Sequence, residues 1–193
     1  MQSIDIAKAL LAEIARRQGG QGPFLAAIDG RCAAGKSTLA RELAHRSGCA
    51  VIPMDHFFLR PEQRTPERFA EPGGNVDRER FLAEVLLPLR AGKPFSYRPF
   101  DCHTLSLAAP VPVAPAALYL IEGSYSCHPA LREHYDLTVF LDISPDEQLR
   151  RLRVRNGAEG AQRFAERWIP LEERYFQELD VRGHCELYYL SES

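Results

Sequence analysis

Residues Gly30-Arg31-Cys32-Ala33-Ala34-Gly35-Lys36-Ser37 bring two glycines, a lysine and a hydroxyl together in the spacing Gly-x4-Gly-Lys-Ser. Glycine and small residues let successive backbone N–H groups turn inward around phosphate oxygens, and the positive end of a following helix adds to that field. Gly30, Ala33, Ala34 and Gly35 form the candidate cradle, Lys36 supplies a mobile charge for terminal phosphates, and Thr38 can hydrogen-bond an inner phosphate. The Ser37 hydroxyl is suited to ligate Mg²⁺. Cys32 is open to two readings, a thiol with pKa lowered by the loop's N–H groups or a small residue that the turn tolerates.

Three carboxylates end apolar runs further along the chain: Asp55, Glu122 and Asp142. Phosphoryl transfer from ATP to a hydroxyl needs the cradle, Mg²⁺, a group that orients or deprotonates the acceptor, and cations to balance the transferring charge. Asp55, 19 residues past Lys36, is the candidate general base and acceptor contact, the alternative being a cap on the turn after its strand. Glu122, just before Gly123, is a candidate for holding Mg²⁺ directly or through water, the alternative being a structural carboxylate. Asp142 precedes Ser144 and Pro145 and reads as a helix entry, outside the site. Arg151 and Arg155 stand four apart, on one face of a helix, and are candidate catalytic cations on a lid that breaks at 156–160, with Arg163 a third. The alternative is a solvated helix paired to Glu147 and Glu159.

These side chains need a scaffold that delivers strand ends to one edge. Runs 24–29, 50–54, 118–121 and 137–141 read as buried strands, and 186–190 as a fifth. Helices are predicted at 4–14, at 37–47, from a cap at Asp77 to Gly92, after Pro145, and over 162–179. Strands alternating with helices predict an α/β fold, a doubly wound parallel five-stranded sheet with helices on both faces, where ligands bind beyond the carboxyl ends of the strands. The length of 193 residues suits one domain over 1–193 with a short lid at about 150–165. With 24 basic and 26 acidic residues, the charge of −2 points to a small-molecule partner rather than nucleic acid or an anionic membrane, and leaves oligomeric state open. Five scattered cysteines, with no Cys-x-x-Cys pair, argue against a disulfide framework or zinc site and suit the cytoplasm. The N-terminal segment lacks a signal-peptide pattern, and no apolar stretch is long enough to span a membrane.

The loop from Ile28 to Ser37, the segment Met54-Asp55-His56-Phe57-Phe58, the strand end Ile121-Glu122-Gly123 and the Arg-rich helix before a short lid together resemble the uridine kinase-like family. That family includes phosphoribulokinase, pantothenate kinase and nicotinamide riboside kinase. The resemblance covers roughly 24–180 and implies a five-stranded parallel sheet, ATP with Mg²⁺, and phosphorylation of a small-molecule hydroxyl, most nearly a nucleoside's. It implies Asp55 as catalytic base, Asp77 as the aspartate that holds ribose hydroxyls, Tyr97 as a tyrosine of the acceptor pocket, and His103 as the histidine that follows it. His103 is displaced by about one position, and Gln148 stands where nucleoside kinases often carry the first lid arginine. Arg98 either meets an anionic acceptor group or pairs with Asp101. A nucleotide-dependent ATPase or switch is the other function class, although the chain has no Asn-Lys-x-Asp or Leu-Ser-Gly-Gly-Gln motif.

Overall fold

Every residue of Phe24–Gly30 (β1) is buried, and alternate side chains enter opposite faces. Phe24, Ala26 and Ile28 pack with helices α1 (Ser3–Arg17) and α2 (Lys36–Ser47), whereas Leu25 and Ala27 join a second cluster containing Phe57, Phe81 and Tyr175. Burial on both faces is what a parallel strand under two helical layers requires. The structure, a computed structural model, describes residues 3–20 and 22–191.

After β2 (Ala50–Pro53) come α3 (Pro66–Ala70), α4 (Arg78–Phe81), α5 (Leu87–Arg90) and four short strands, β3 (Phe95–Tyr97), β4 (Phe100–Asp101), β5 (Ser106–Leu107) and β6 (Val111–Val113). The chain continues through β7 (Leu118–Glu122), α6 (Pro129–Arg132), β8 (Leu137–Asp142), α7 (Pro145–Arg163), α8 (Ile169–Glu178) and β9 (Leu187–Leu190). The main sheet is parallel in the order β2-β7-β1-β8-β9, so the five expected strands and their helical cover are present. Its register aligns Ile28 and Pro53 with Glu122, which brings the phosphate-binding loop, Asp55 and Glu122 to one edge. Gly30 is needed for packing: its φ is +132°, and a Cβ there would lie 1.9 Å from the Leu141 carbonyl oxygen.

Residues 95–113 form two small antiparallel ribbons, β3 with β6 and β4 with β5. The break expected at 156–160 is present but short: two helical stretches of α7 meet at Gly157, where φ is 72° and ψ is 177°, outside helical values. The expected 162–179 helix starts inside α7, and a π-helical turn, Phe164–Trp168, precedes α8. Pro170 lacks an N–H to continue an α ladder, and the other π turn, Leu82–Leu86, likewise precedes a proline, Pro88. No helix among the described residues is long and apolar enough to cross a membrane.

Candidate active site

The loop between β1 and α2 is held from several sides. The Lys36 ammonium donates to the carbonyls of Gly30 at 2.6 Å and Arg31 at 2.9 Å and to the Ser124 hydroxyl at 3.2 Å, all neutral acceptors. From α7, Arg151 reaches the Ala33 and Ala34 carbonyls at 3.3 and 3.4 Å while its Nε pairs with Glu147, and Gln148 donates to the Cys32 carbonyl at 3.1 Å. From α8, Glu172 accepts the Cys32 N–H at 2.9 Å and the Ser124 hydroxyl at 2.7 Å, and Glu173 takes both forks of Arg31. Burial, then Glu172, pushes the Cys32 thiol up to about 12, so the reading of an activated thiol falls away.

The first helical turn of α2 and the end of β7 meet where the Ser37 hydroxyl donates to Glu122 at 3.1 Å. Glu122 is buried, and desolvation, reinforced by nearby Asp55, pushes its carboxyl upward. A hydroxyl and a carboxylate in contact at a phosphate-binding loop fit Mg²⁺, which takes one or two protein ligands and completes its shell with water and phosphate oxygens. Among the described residues no group of three or more His, Cys, Asp or Glu could form a cage of protein ligands. Asp55 is exposed, and its carboxylate makes no hydrogen bond or ion pair among the described residues.

One cleft of about 860 Å³ is lined by Ala33, Gly35, Lys36, Ser37, Thr38, Asp55, Glu122, Arg151 and Arg155, together with Phe58, Phe69, Asn75, Tyr125, Phe164 and Trp168. No family model matches the chain. Solved structures do resemble it. A possible uridine kinase from Bacillus stearothermophilus aligns with a TM-score of 0.71 at 20% identity, covering 97% of each chain. YFH7 from Saccharomyces cerevisiae, described as a candidate P-loop containing kinase with a circular permutation, aligns at 0.70 and 11% identity over 100% of both chains. A D-glycerate 3-kinase from Cryptococcus neoformans var. grubii aligns at 0.56 and 14%, covering 89% of this chain and 87% of that one. The chain has the fold of the uridine kinase-like P-loop kinases.

Within this P-loop kinase fold, several expected site residues lie away from the cleft wall. Gly30 and Ala34 are buried beneath it. Asp77 caps α4 through the Arg80 N–H and accepts from Gln63 at 2.9 Å, so its carboxylate is already occupied. The Tyr97 hydroxyl bonds the His56 ring at 2.9 Å, and its ring packs on Phe57. His103 is exposed, its N–H turned back to Asp101. Arg163 is exposed and outside the lining, and Arg98 holds the carbonyls of Leu107 and Ala108, so it fits neither reading given for it. Asp142 accepts from Arg31, Tyr188 and the Ile143 N–H, also away from the cleft.

Four residues of the candidate site and its supports were not marked in the sequence. Glu172 and Ser124 flank Lys36, Arg64 lines the cleft, and fully buried Asp29 ties the loop to its surroundings. Asp29 accepts from the N–H groups of Gly30, Tyr125 and Cys127 and from the Tyr175 hydroxyl, at 2.7 to 3.1 Å. Of these only Asp29 carried a signal, a charged residue inside a run of buried-strand type.

Proposed function

We propose that the protein is an ATP-dependent kinase that transfers the γ-phosphoryl of Mg-ATP to a hydroxyl of a small molecule. The observation that carries this reading is Asp55, a carboxylate without a protein partner, opening into the same cleft as the Lys36 and Ser37 loop. A base must reach a proton on the acceptor, and a carboxylate committed to an ion pair could not. Asp55 accepts the acceptor hydroxyl's proton as the oxygen bonds to the γ-phosphorus, and the bond from that phosphorus to the ADP oxygen breaks. Lys36, Arg151 and Arg155 balance charge on the transferring group. Ser37 and, directly or through water, Glu122 would hold Mg²⁺, whose charge would offset that of the phosphates. Localisation in the cytoplasm belongs to the same proposal.

The acceptor is nucleoside-like in this reading. Support comes from the flat apolar faces of Phe58 and Tyr125, with Asn75 as a polar contact, in place of Asp77, Tyr97 and His103. Release of ADP from Mg-ATP is expected to depend on an added acceptor, and Asp55→Asn to slow transfer by about 10²- to 10⁴-fold while ATP still binds. Rapid hydrolysis that ignores both acceptor and Asp55 would instead identify an ATPase.

A further inference from the structure

Five arginines line the cleft: Arg41, Arg64, Arg151, Arg155 and Arg167. Among the described residues only Arg151 is paired with a carboxylate, Glu147 at 2.8 Å. Elsewhere among the described residues many arginines are paired, as in Arg31 with Asp142 and Glu173, Arg68 with Glu79 and Arg90 with Asp136, while Arg98, Arg132, Arg153, Arg163 and Arg182 are not. The four arginines of the cleft without a carboxylate are not equivalent. Arg41 donates to the Ser37 carbonyl and the Thr38 hydroxyl beside the phosphate loop, and Arg155 rides on the lid helix with Arg151. Both belong to the nucleotide side.

Arg64 stands on the other wall. Its Nε is fixed by the Leu59 carbonyl at 3.0 Å, four residues past Asp55, and its guanidinium lies over the Phe100 ring at 5.5 Å. Arg64, Cys102 and Asp55 line the same cleft, so arginine and base face one space. Arg167 lies over Trp168 at 4.8 Å and Phe69 at 6.0 Å. Stacking uses the face of a guanidinium and leaves its in-plane N–H fork free, the geometry that receives a carboxylate or phosphate. Both side chains are exposed in the open cleft with no carboxylate partner from the protein, so both can reach an anionic group on a ligand.

We propose that the acceptor carries an anionic group, a carboxylate or a phosphate ester, and that Arg64 and Arg167 bind it while Asp55 faces the hydroxyl to be phosphorylated. The inference rests on the kinase reading above and names the class of its substrate.

The test is a coupled ADP-release assay with Mg-ATP and matched acceptors: ribose, ribonate and ribose 5-phosphate, and uridine beside uridine 5′-monophosphate. Wild type, Arg64→Met, Arg167→Met and Asp55→Asn are compared, with Mg-ATP binding by calorimetry as the check that each variant is folded. Turnover is expected with an anionic member of a set and not with its neutral partner, the ribonate and 5-phosphate arms separating carboxylate from phosphate ester. Arg64→Met should raise KM for that acceptor about tenfold to a hundredfold, with Mg-ATP binding retained. Neutral acceptors used as well as anionic ones, or a KM indifferent to both arginines, overturns the inference and leaves the kinase reading standing. If no acceptor accelerates ADP release and Asp55→Asn changes nothing, the kinase reading fails and this inference fails with it.

Discussion

Glu122 combines two properties that pull against each other, being placed to hold a cation and being buried enough to favour its proton. Desolvation raises its carboxyl, with Asp55 adding to the effect, so protons compete with Mg²⁺ at a higher pH than they would for an ordinary glutamate. The Mg²⁺ concentration for half-maximal activity should therefore begin to climb, as pH falls, at a higher pH than it would with an ordinary glutamate. Glu122→Gln should raise that concentration about tenfold to a hundredfold at neutral pH and flatten its pH dependence. Magnesium titrations of ADP release at several pH values measure both. An unchanged requirement in the variant would reduce Glu122 to a structural partner of Ser37.

The elements show which parts of the site could be read in advance. The phosphate loop was legible because its chemistry lies in eight consecutive residues, and the three central strands because burial on both faces leaves unbroken apolar runs. The acceptor wall was not. Asp77, Tyr97 and His103 were placed by resemblance, yet a helix cap, a histidine contact and a ribbon turn occupy them. Arg64 lies in a polar proline-bearing segment with no periodicity, and Glu172 meets Cys32 from 140 residues away, a contact that only the packing of α8 creates. That packing predicts a measurable effect. Glu172 puts a negative charge within two hydrogen bonds of Lys36, beside the position meant for phosphate. Removing the charge with Glu172→Gln should tighten ATP binding by about three- to tenfold through lost repulsion, while the amide oxygen can still accept the Cys32 N–H. Calorimetry decides it, since weaker binding would make the carboxylate an indispensable support of the loop.

Across the whole molecule, Asp29 joins parts that are far apart in sequence. It continues the face of β1 that carries Leu25 and Ala27, so its carboxylate enters the cluster containing Tyr125, Cys127 and Tyr175. There it links the central strand, the turn after β7 and helix α8. Burial raises its pKa to about 6 despite four hydrogen-bond donors. An unfolded aspartate titrates near 3.9, so between about pH 4 and pH 6 the folded chain holds more protons than the unfolded one. Asp29's contribution is complete below pH 4 and is lost as pH rises through about 6, the reverse of an aspartate in an ion pair. A shift of this size corresponds to about 2–3 kcal/mol. Denaturant unfolding of wild type and Asp29→Asn across pH 4–7 isolates it, because every other titrating group contributes to both proteins. Wild type should lose stability relative to the variant as pH rises. A difference that stayed flat, or grew in favour of wild type, would mean that the four donors outweigh burial and that the sheet, turn and helix are held together by an ionised carboxylate.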